Sequence, residues 1–457
     1  MKKINFSKPK PVIPQFNGPA HYAMLAAMQA GEPTPNQSLV IDLDGERYEL
    51  TLPAVIELKK LGGVVEPPDP IEPVEPIKVD GFGSNTFPWV PLEKLAMFST
   101  LRCYIASGWI WRPDGLFSQP MFQAETEVAH GLDEYFERAR DAGIDILPCI
   151  NQTPDWYAGT SNGFGSNDHP PIKPGKDRND PKSWADYAEF WFQFCARYGS
   201  RKHPDSALRV DTTPRWNGDI PNVKRSGLGL IKCVEIGNEL DRWWDGENSD
   251  KYLKAEAHAA MLVAVMAAIE RADDKMVVVM GGLTGWDMPY MKTLVETIKK
   301  LGGKLPHVLN CHHYSHEGNK AKQWPPTWWN SGACYPEEDA DFMTVIEFVN
   351  YAKSLGCELW VTEFGCDDKK ESWMHIKGSK YGIADEAAQA KLIEKTFRAY
   401  KEFGVQRSYV FTAVNEQGSA NGGLWQNCGL LTNQATGYQP KLAHAAVKKL
   451  IAEYSTT

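Results

Sequence analysis

From about Val79 onward the chain alternates short apolar, β-prone runs with longer amphipathic patterns of helical period, and no other feature limits the possible folds so strongly. Eight candidate strands can be read: Val79 to Ser84, Thr100 to Ser107, Ile144 to Asn151, Ile231 to Asn238, Met276 to Leu283, His307 to Tyr314, Glu358 to Glu363, and Arg407 to Val414. Between them lie helical patterns at Ala129 to Ala142, Trp184 to Tyr198, Ala255 to Arg271, Met288 to Leu301, Phe342 to Leu355 and Asp385 to Phe403. Asp180-Pro181 supplies an N-cap and first-turn pair ahead of one of them. Strands that alternate with helices form a parallel sheet, and eight of them predict closure into an α/β (β/α)₈ TIM barrel. A doubly wound open sheet is the alternative, although no Gly-x-Gly-x-x-Gly turn follows the first strand.

The chain has 457 residues, enough for such a barrel and a smaller piece. Residues 1 to 65 read as a small N-terminal module, with a helical piece at His21 to Ala30 and a hairpin at Ser38 to Leu52 around Asp44-Gly45. Pro53 to Lys60 has a helical spacing. Residues 66 to 76 combine five prolines with four acidic side chains, a composition that stays extended and solvated, so they read as a linker. Residues 77 to 457 are then the barrel, and the upstream module, with no catalytic signal, is expected to serve attachment to a protein partner.

Two strands end on glutamate. The run Ile231 to Gly237 delivers Asn238 and Glu239, and Glu358 to Thr362 delivers Glu363. Carboxyl groups at strand ends are rigidly held, and two of them about 5–5.5 Å apart are what a retaining glycosidase requires, one to protonate the leaving oxygen and one to attack the anomeric carbon. A carboxylate after a strand can also be a helix cap or a solvated loop residue, so the pair and not either member carries the reading.

Gly237-Asn238-Glu239 and Thr362-Glu363-Phe364-Gly365, placed after the fourth and seventh strands, resemble the catalytic motifs of the clan A retaining glycoside hydrolases, the group of (β/α)₈ barrels that includes β-xylosidases, endoglucanases and β-mannanases. The resemblance covers the order of elements from about Val79 to Tyr454. It implies cleavage of β-linked oligo- or polysaccharide by double displacement, with Glu239 as acid/base, Glu363 as nucleophile and no cofactor. Arg102 on the second strand is similar to the arginine that steadies the nucleophile, or is a strand arginine facing solvent. Asn238 would bond the sugar 2-hydroxyl. His312 and Tyr314, two apart and so on one strand face, resemble the His-x-Tyr whose tyrosine touches the nucleophile. The mechanism requires Glu239 to begin protonated. The eighth strand departs from the clan, which usually ends it on Trp: here Phe411 or the later Trp425 stands in, leaving the sugar preference open.

Sixteen tryptophans are either core or sugar platforms. Trp184 and Trp191 lie on a helix face, whereas Trp109, Trp111, Trp156, Trp243, Trp244, Trp324, Trp328, Trp329, Trp373 and Trp425 follow strands. Among these Trp156, Trp243, Trp328 and Trp425 are the expected substrate contacts. Two rival readings remain, a catalytically silent carbohydrate-binding or structural barrel, and a metal-dependent hydrolase built on Cys311-His312-His313-Tyr314-Ser315-His316. Strand alternation would split the latter ligands between two faces, and no His-Glu-x-x-His helix is present.

The formal charge of −9 with no basic block excludes nucleic acid as an expected partner. No stretch reaches the roughly 18 apolar residues of a membrane span, and the positive N-terminus has no apolar run behind it, so no cleaved signal and no membrane insertion are expected. Nine scattered cysteines, several inside apolar strands, read as mostly reduced core residues.

Overall fold

In the computed structural model the described residues are strands at 3–5, 38–43, 46–51 and 55–61, then 81–119, 122–123, 129–160, 166–213, 222–242, 245–314, 334–339, 342–368, 385–416 and 426–455. Eight parallel strands close a barrel: β1 (Phe82–Thr86), β2 (Thr100–Ala106), β3 (Asp145–Asn151), β4 (Cys233–Ile236), β5 (Val277–Met280), β6 (Val308–His312), β7 (Glu358–Phe364) and β8 (Arg407–Val410). Each pairs with its sequence neighbour, and Ser408 to Val410 of β8 pair with Phe82 to Ser84 of β1 to complete the ring. All eight expected strands are therefore present, and the open-sheet alternative is corrected by the closure.

Among the described residues seven α-helices of ten residues or more follow strands β2 to β8 in turn: α1 (Leu132–Asp141), α2 (Ala185–Tyr198), α3 (Ala255–Ala272), α4 (Met288–Lys300), α5 (Thr344–Ser354), α6 (Glu386–Phe403) and α7 (Leu442–Ser455). Local chemistry explains where they start and stop. Asp287 accepts the Tyr290 N–H ahead of α4, and Asp385 accepts the Ala388 N–H ahead of α6. Asp180 accepts the Lys182 N–H and opens the 3-10 turn Pro181–Trp184 that runs into α2. After β1 the connection carries the 3-10 turn Leu92–Leu95. No described helix is long and apolar enough to cross a membrane.

Side chains alternate along each strand, one set facing the helices and the other filling the barrel. The helix-facing set joins the large core, in which Trp184 and Trp191 of the α2 region are fully buried, as their spacing foretold. Trp111 belongs to this core too: it is 1% exposed and stacks on Phe190 with ring centroids 5.1 Å apart. Its expected role in a sugar-binding loop is corrected, because the segment after β2 turns back onto α2 and buries the indole. All nine cysteines are free and buried.

At the N-terminus, Ser38–Leu43 and Glu46–Thr51 pair antiparallel from Leu43 and Glu46 outward, as the Asp44-Gly45 signal requires. Val55–Leu61 is a third strand, paired with Arg47 to Thr51, and Lys3–Asn5 is a fourth. The helical spacing read at Pro53 to Lys60 is thus overridden by sheet pairing of Val, Ile and Leu. His21 to Ala30 and residues 66 to 76 lie outside the described residues.

Candidate active site

The barrel interior is layered. Near the N-terminal ends of the strands, Leu147, Cys233, Val279, Val308, Trp360 and Tyr409 form an apolar plug. Two residues further along β3, β4, β6 and β7 the chemistry changes to Cys149, Glu235, Asn310 and Thr362, joined by Asn85 of β1 and Arg102 of β2, all buried. Arg102 organises this layer. Its Nε and Nη2 grip Glu235 at 2.6 and 2.8 Å, a bidentate fork, while Nη1 reaches Asn85 Oδ1 at 2.8 Å and Glu363 Oε1 at 2.8 Å. Glu235 is further satisfied by Asn310 Nδ2 at 3.1 Å and the Thr362 hydroxyl at 3.2 Å. The solvent-facing alternative for Arg102 is corrected: the guanidinium is completely buried between two carboxylates. Burial acts to lower its pKa, but the surrounding anionic groups hold it well above the ordinary arginine value.

Glu363 reaches the next layer through an irregularity. Along β6 and β7 the register runs Cys311 with Val361 and then His312 with Glu363, skipping Thr362. This bulge lets consecutive residues Thr362 and Glu363 both face inward, against the period of two. The Glu363 carboxylate accepts hydrogen bonds from Arg102, from the Tyr104 hydroxyl in a very short contact, and from the Tyr314 hydroxyl at 2.8 Å. Burial raises its pKa, but the charges of His312 and Arg102 and the two tyrosine hydroxyls outweigh that and hold it below the usual glutamate range.

Glu239 sits just past β4 in a left-handed conformation, φ +48°, after Gly237 at φ +84°. Its N–H donates to Gly282 O at 2.9 Å, tying the turn to the end of β5. The carboxylate meets His312 Nδ1 at 2.8 Å, and His312 Nε2 lies 3.1 Å from the Thr362 hydroxyl. Gly282 makes room for this imidazole, since a Cβ there would lie 2.1 Å from His312 Nε2. Burial lowers the His312 pKa, yet the charge of Glu363 and the bond to Glu239 raise it overall. Oxygens of Glu239 and Glu363 and a ring nitrogen of His312 all lie within 4.8 Å of one another. These three could offer ligands to a cation, but Arg102 already supplies a fixed positive charge against Glu363.

A cavity of about 430 Å³ opens over the pair, lined by Phe87, Trp89, Tyr104, Trp109, Asn151, Gln152, Asn238, Tyr314 and Phe411 among others. Asn238 Oδ1 accepts a hydrogen bond from Arg102 Nη2 at 2.6 Å, which leaves its NH₂ as the donor for the cavity. Phe87 stacks between Trp89 (4.7 Å, 9°) and Tyr104 (5.6 Å, 28°), so one wall is a continuous aromatic stack.

Of the residues singled out from sequence, Arg102, Asn238, Glu239, His312, Tyr314 and Glu363 are brought together. Trp156 is not among the cavity-lining residues; it packs edge-on against Trp111 and Tyr157 at 5.8 and 5.6 Å. Trp243, Trp328 and Trp425 lie outside the described residues. The Cys311 to His316 cluster divides as alternation requires, with Cys311 buried in the core and His313 bonded to Asp339 Oδ2 and Tyr400, both at 2.9 Å. His316 lies outside the described residues. Sequence reading passed over Tyr104, which belongs to the same inward set as Arg102, and Glu235, whose inward direction follows only once the parity of β4 is known.

A (β/α)₈ barrel with a carboxylate pair at the C-terminal mouth of its strands defines the class of this protein. No family model and no curated protein sequence matches the chain. Solved structures share its fold. A family 39 glycoside hydrolase from the gut symbiont Bacteroides cellulosilyticus aligns at 13% identity over 92% of this chain and 71% of that chain, with a TM-score of 0.50. A glucosidase from Croceicoccus marinus (13% identity, 83% and 69%, TM-score 0.50) and a monomeric beta-xylosidase from Caulobacter crescentus (16% identity, 81% and 68%, TM-score 0.50) are similar to the same extent. The expected resemblance to clan A barrels holds at the level of the fold.

Proposed function

We propose that the protein is a retaining glycosidase that cleaves β-linked oligo- or polysaccharide, with Glu363 as nucleophile and Glu239 as acid/base. The observation that carries this reading is the pair itself: two carboxylates with oxygens within 4.8 Å across one cavity, in different surroundings. Such closeness is in keeping with the separation of about 5–5.5 Å that retaining enzymes use for direct attack, against about 6.5–9.5 Å where an inverting enzyme places a water between its carboxyls. Glu363, held ionised by Arg102, Tyr104 and Tyr314, has the character of a nucleophile. Glu239 lies within hydrogen-bond distance of His312 Nδ1 and faces the cavity, as a group that first gives and then takes a proton must. Asn238 lines the cavity, and its amide is assigned the sugar 2-hydroxyl on this reading. The shared barrel agrees with this chemistry, but barrels host many reactions, so the site and not the fold supports the assignment.

Turnover of a panel of β-linked polysaccharides, with product stereochemistry followed by proton NMR, tests the reading. The first-formed product should retain the anomeric configuration, and Glu363→Gln should lose activity by about 10⁴-fold or more. Glu239→Gln should spare substrates whose leaving group needs no proton. Inversion would overturn the assigned roles, and absence of turnover on every substrate would favour the silent carbohydrate-binding barrel.

Residues 1 to 65 are proposed as a separable attachment module joined by the linker at 66 to 76. A protein lacking residues 1 to 76 should keep a cooperative melt and most of its activity. Aggregation of that shortened protein would assign the module to the catalytic unit.

A further inference from the structure

We propose that Asp241 and Thr284 form a clip that positions the Glu239 carboxyl for proton transfer, an assignment that rests on the acid/base role proposed for Glu239. Asp241 is 5% exposed and lies two residues beyond Glu239. It accepts the Thr284 N–H at 3.0 and 3.1 Å through its two oxygens and the Thr284 hydroxyl at 2.8 Å. Among the described residues no cation pairs with it. A buried carboxylate without a counter-charge is costly, and a neutral side chain would serve stability better. Burial, with the charge of Glu239 adding to it and the Thr284 bonds opposing, pushes the Asp241 carboxyl up to about 7. Stability alone does not account for a group of this kind.

Geometry does. The turn after β4 must hold Glu239 at a positive φ, a conformation that a residue with a Cβ adopts only at a cost. Two ties to the end of β5 bracket that residue: the Glu239 N–H to Gly282 O at 2.9 Å, and Asp241 to Thr284. The same stretch just past β5 also fixes the imidazole that meets Glu239, because the His312 N–H donates to Leu283 O at 2.7 Å and the ring packs on Gly282. Residues 282 to 284 therefore register the acid/base and its histidine partner against each other. Without the Asp241 tie the turn's remaining bond to this stretch is that of the Glu239 N–H, with Leu240 O held elsewhere by the Leu253 N–H at 2.8 Å, and the carboxyl loses its alignment with the leaving oxygen. Misplacement by about 1 Å costs on the order of 100-fold in rate.

The test measures kcat and KM of Asp241→Ala, Asp241→Asn and Thr284→Val on phenyl and dinitrophenyl β-glycosides of the sugar that the protein turns over. A phenyl leaving group needs the proton of the acid and a dinitrophenyl group does not. Asp241→Ala should lower kcat/KM for the phenyl glycoside about 10- to 100-fold and leave the dinitrophenyl glycoside within about threefold. Thr284→Val, which removes only the hydroxyl bond and is the milder perturbation of the fold, should show the same selectivity at smaller size. Asp241→Asn, which keeps an oxygen for the Thr284 N–H, should recover most of the loss. Equal losses on both substrates would mean general damage to the site and would overturn the clip, as would unchanged rates on both. Glu239→Gln serves as the reference. If it shows no leaving-group dependence, the acid/base assignment itself fails and the clip falls with it; if it does and the Asp241 and Thr284 variants do not, the clip alone is wrong.

Discussion

Two stacked layers of the barrel interior, two residues apart along β4, β6 and β7, differ in almost every physical respect. The lower one is an apolar plug, Leu147, Cys233, Val279, Val308, Trp360 and Tyr409, whose polar atoms bond at its margin, the Tyr409 hydroxyl with that of Thr100 at 3.0 Å and Trp360 Nε1 to Glu358 at 2.7 Å. Above it, Asn85, Arg102, Glu235, Asn310 and Thr362 form a network in which each polar group binds the next. The lower layer tolerates exchange of one apolar shape for another. The upper one does not, because removing any member strands a charge or an amide in a dry interior. What the difference teaches is that the barrel separates its tasks by height: volume is filled below, and direction is set above, where Arg102 hands its orientation on to Glu363.

The largest effect that would sharpen this contrast comes from Arg102→Met. It leaves Glu235 and Glu363 without their shared cation and should cost about 3–5 kcal/mol in urea unfolding, with activity lost. Leu147→Met, one layer down, should cost less than about 1.5 kcal/mol. Similar costs for the two would erase the distinction between layers.

A second pair of substitutions separates activity from stability. A methyl at Gly282 meets the His312 ring at 2.1 Å, and one at Gly83 meets the Tyr409 ring at 2.3 Å. Each overpacks its layer and should cost about 1–3 kcal/mol. Measured well below the melting temperature, Gly282→Ala should lower kcat at least tenfold, while Gly83→Ala should leave kcat near that of the parent protein. Loss of kcat in the lower-layer variant would show that the two levels are mechanically coupled.

The smallest effect concerns pH. Glu363 is held below the usual glutamate range, and the Tyr314 hydroxyl is one of the donors that hold it there. Activity that needs ionised Glu363 is lost as pH falls through its folded pKa, so Tyr314→Phe, which removes a donor and lets that pKa rise, should move the acid limb of kcat/KM to higher pH. The accompanying loss in rate should be about tenfold, the equivalent of about 1.4 kcal/mol, with little change in melting temperature. An acid limb that stays in place would remove Tyr314 from the forces on the nucleophile.

Much of this was legible in the residues. The strands announced themselves through Val, Ile and Cys runs, and Glu239 and Glu363 through their position at the ends of two of them. Arg102 could be suspected, but its partner could not be chosen, since nothing local marks Glu235 as inward until the strand parity is fixed. The inward turn of Glu363 beside Thr362 depends on a slip between β6 and β7, a long-range event that no window of β7 alone contains. Trp111 misled because it follows a strand yet meets Phe190 only after the chain has folded back. Segments whose fate is set by pairing, like Val55–Leu61, carry a helical spacing that the sheet overrules.

The buried cysteines give the molecule an internal gauge of its own loosening. Burial pushes the Cys103 thiol up to about 12 and the Cys233 thiol up to about 11, so neither is a thiolate at neutral pH and neither meets reagent while the barrel is shut. Any alkylation of the native protein therefore counts openings. Cys149 touches Arg102 at 3.1 Å in the network, Cys233 lies in the plug beneath, and Cys195 is on α2 against the outer wall. The order in which a small alkylating agent captures these three, read by peptide mass, would show whether the shell, the plug or the network breathes first.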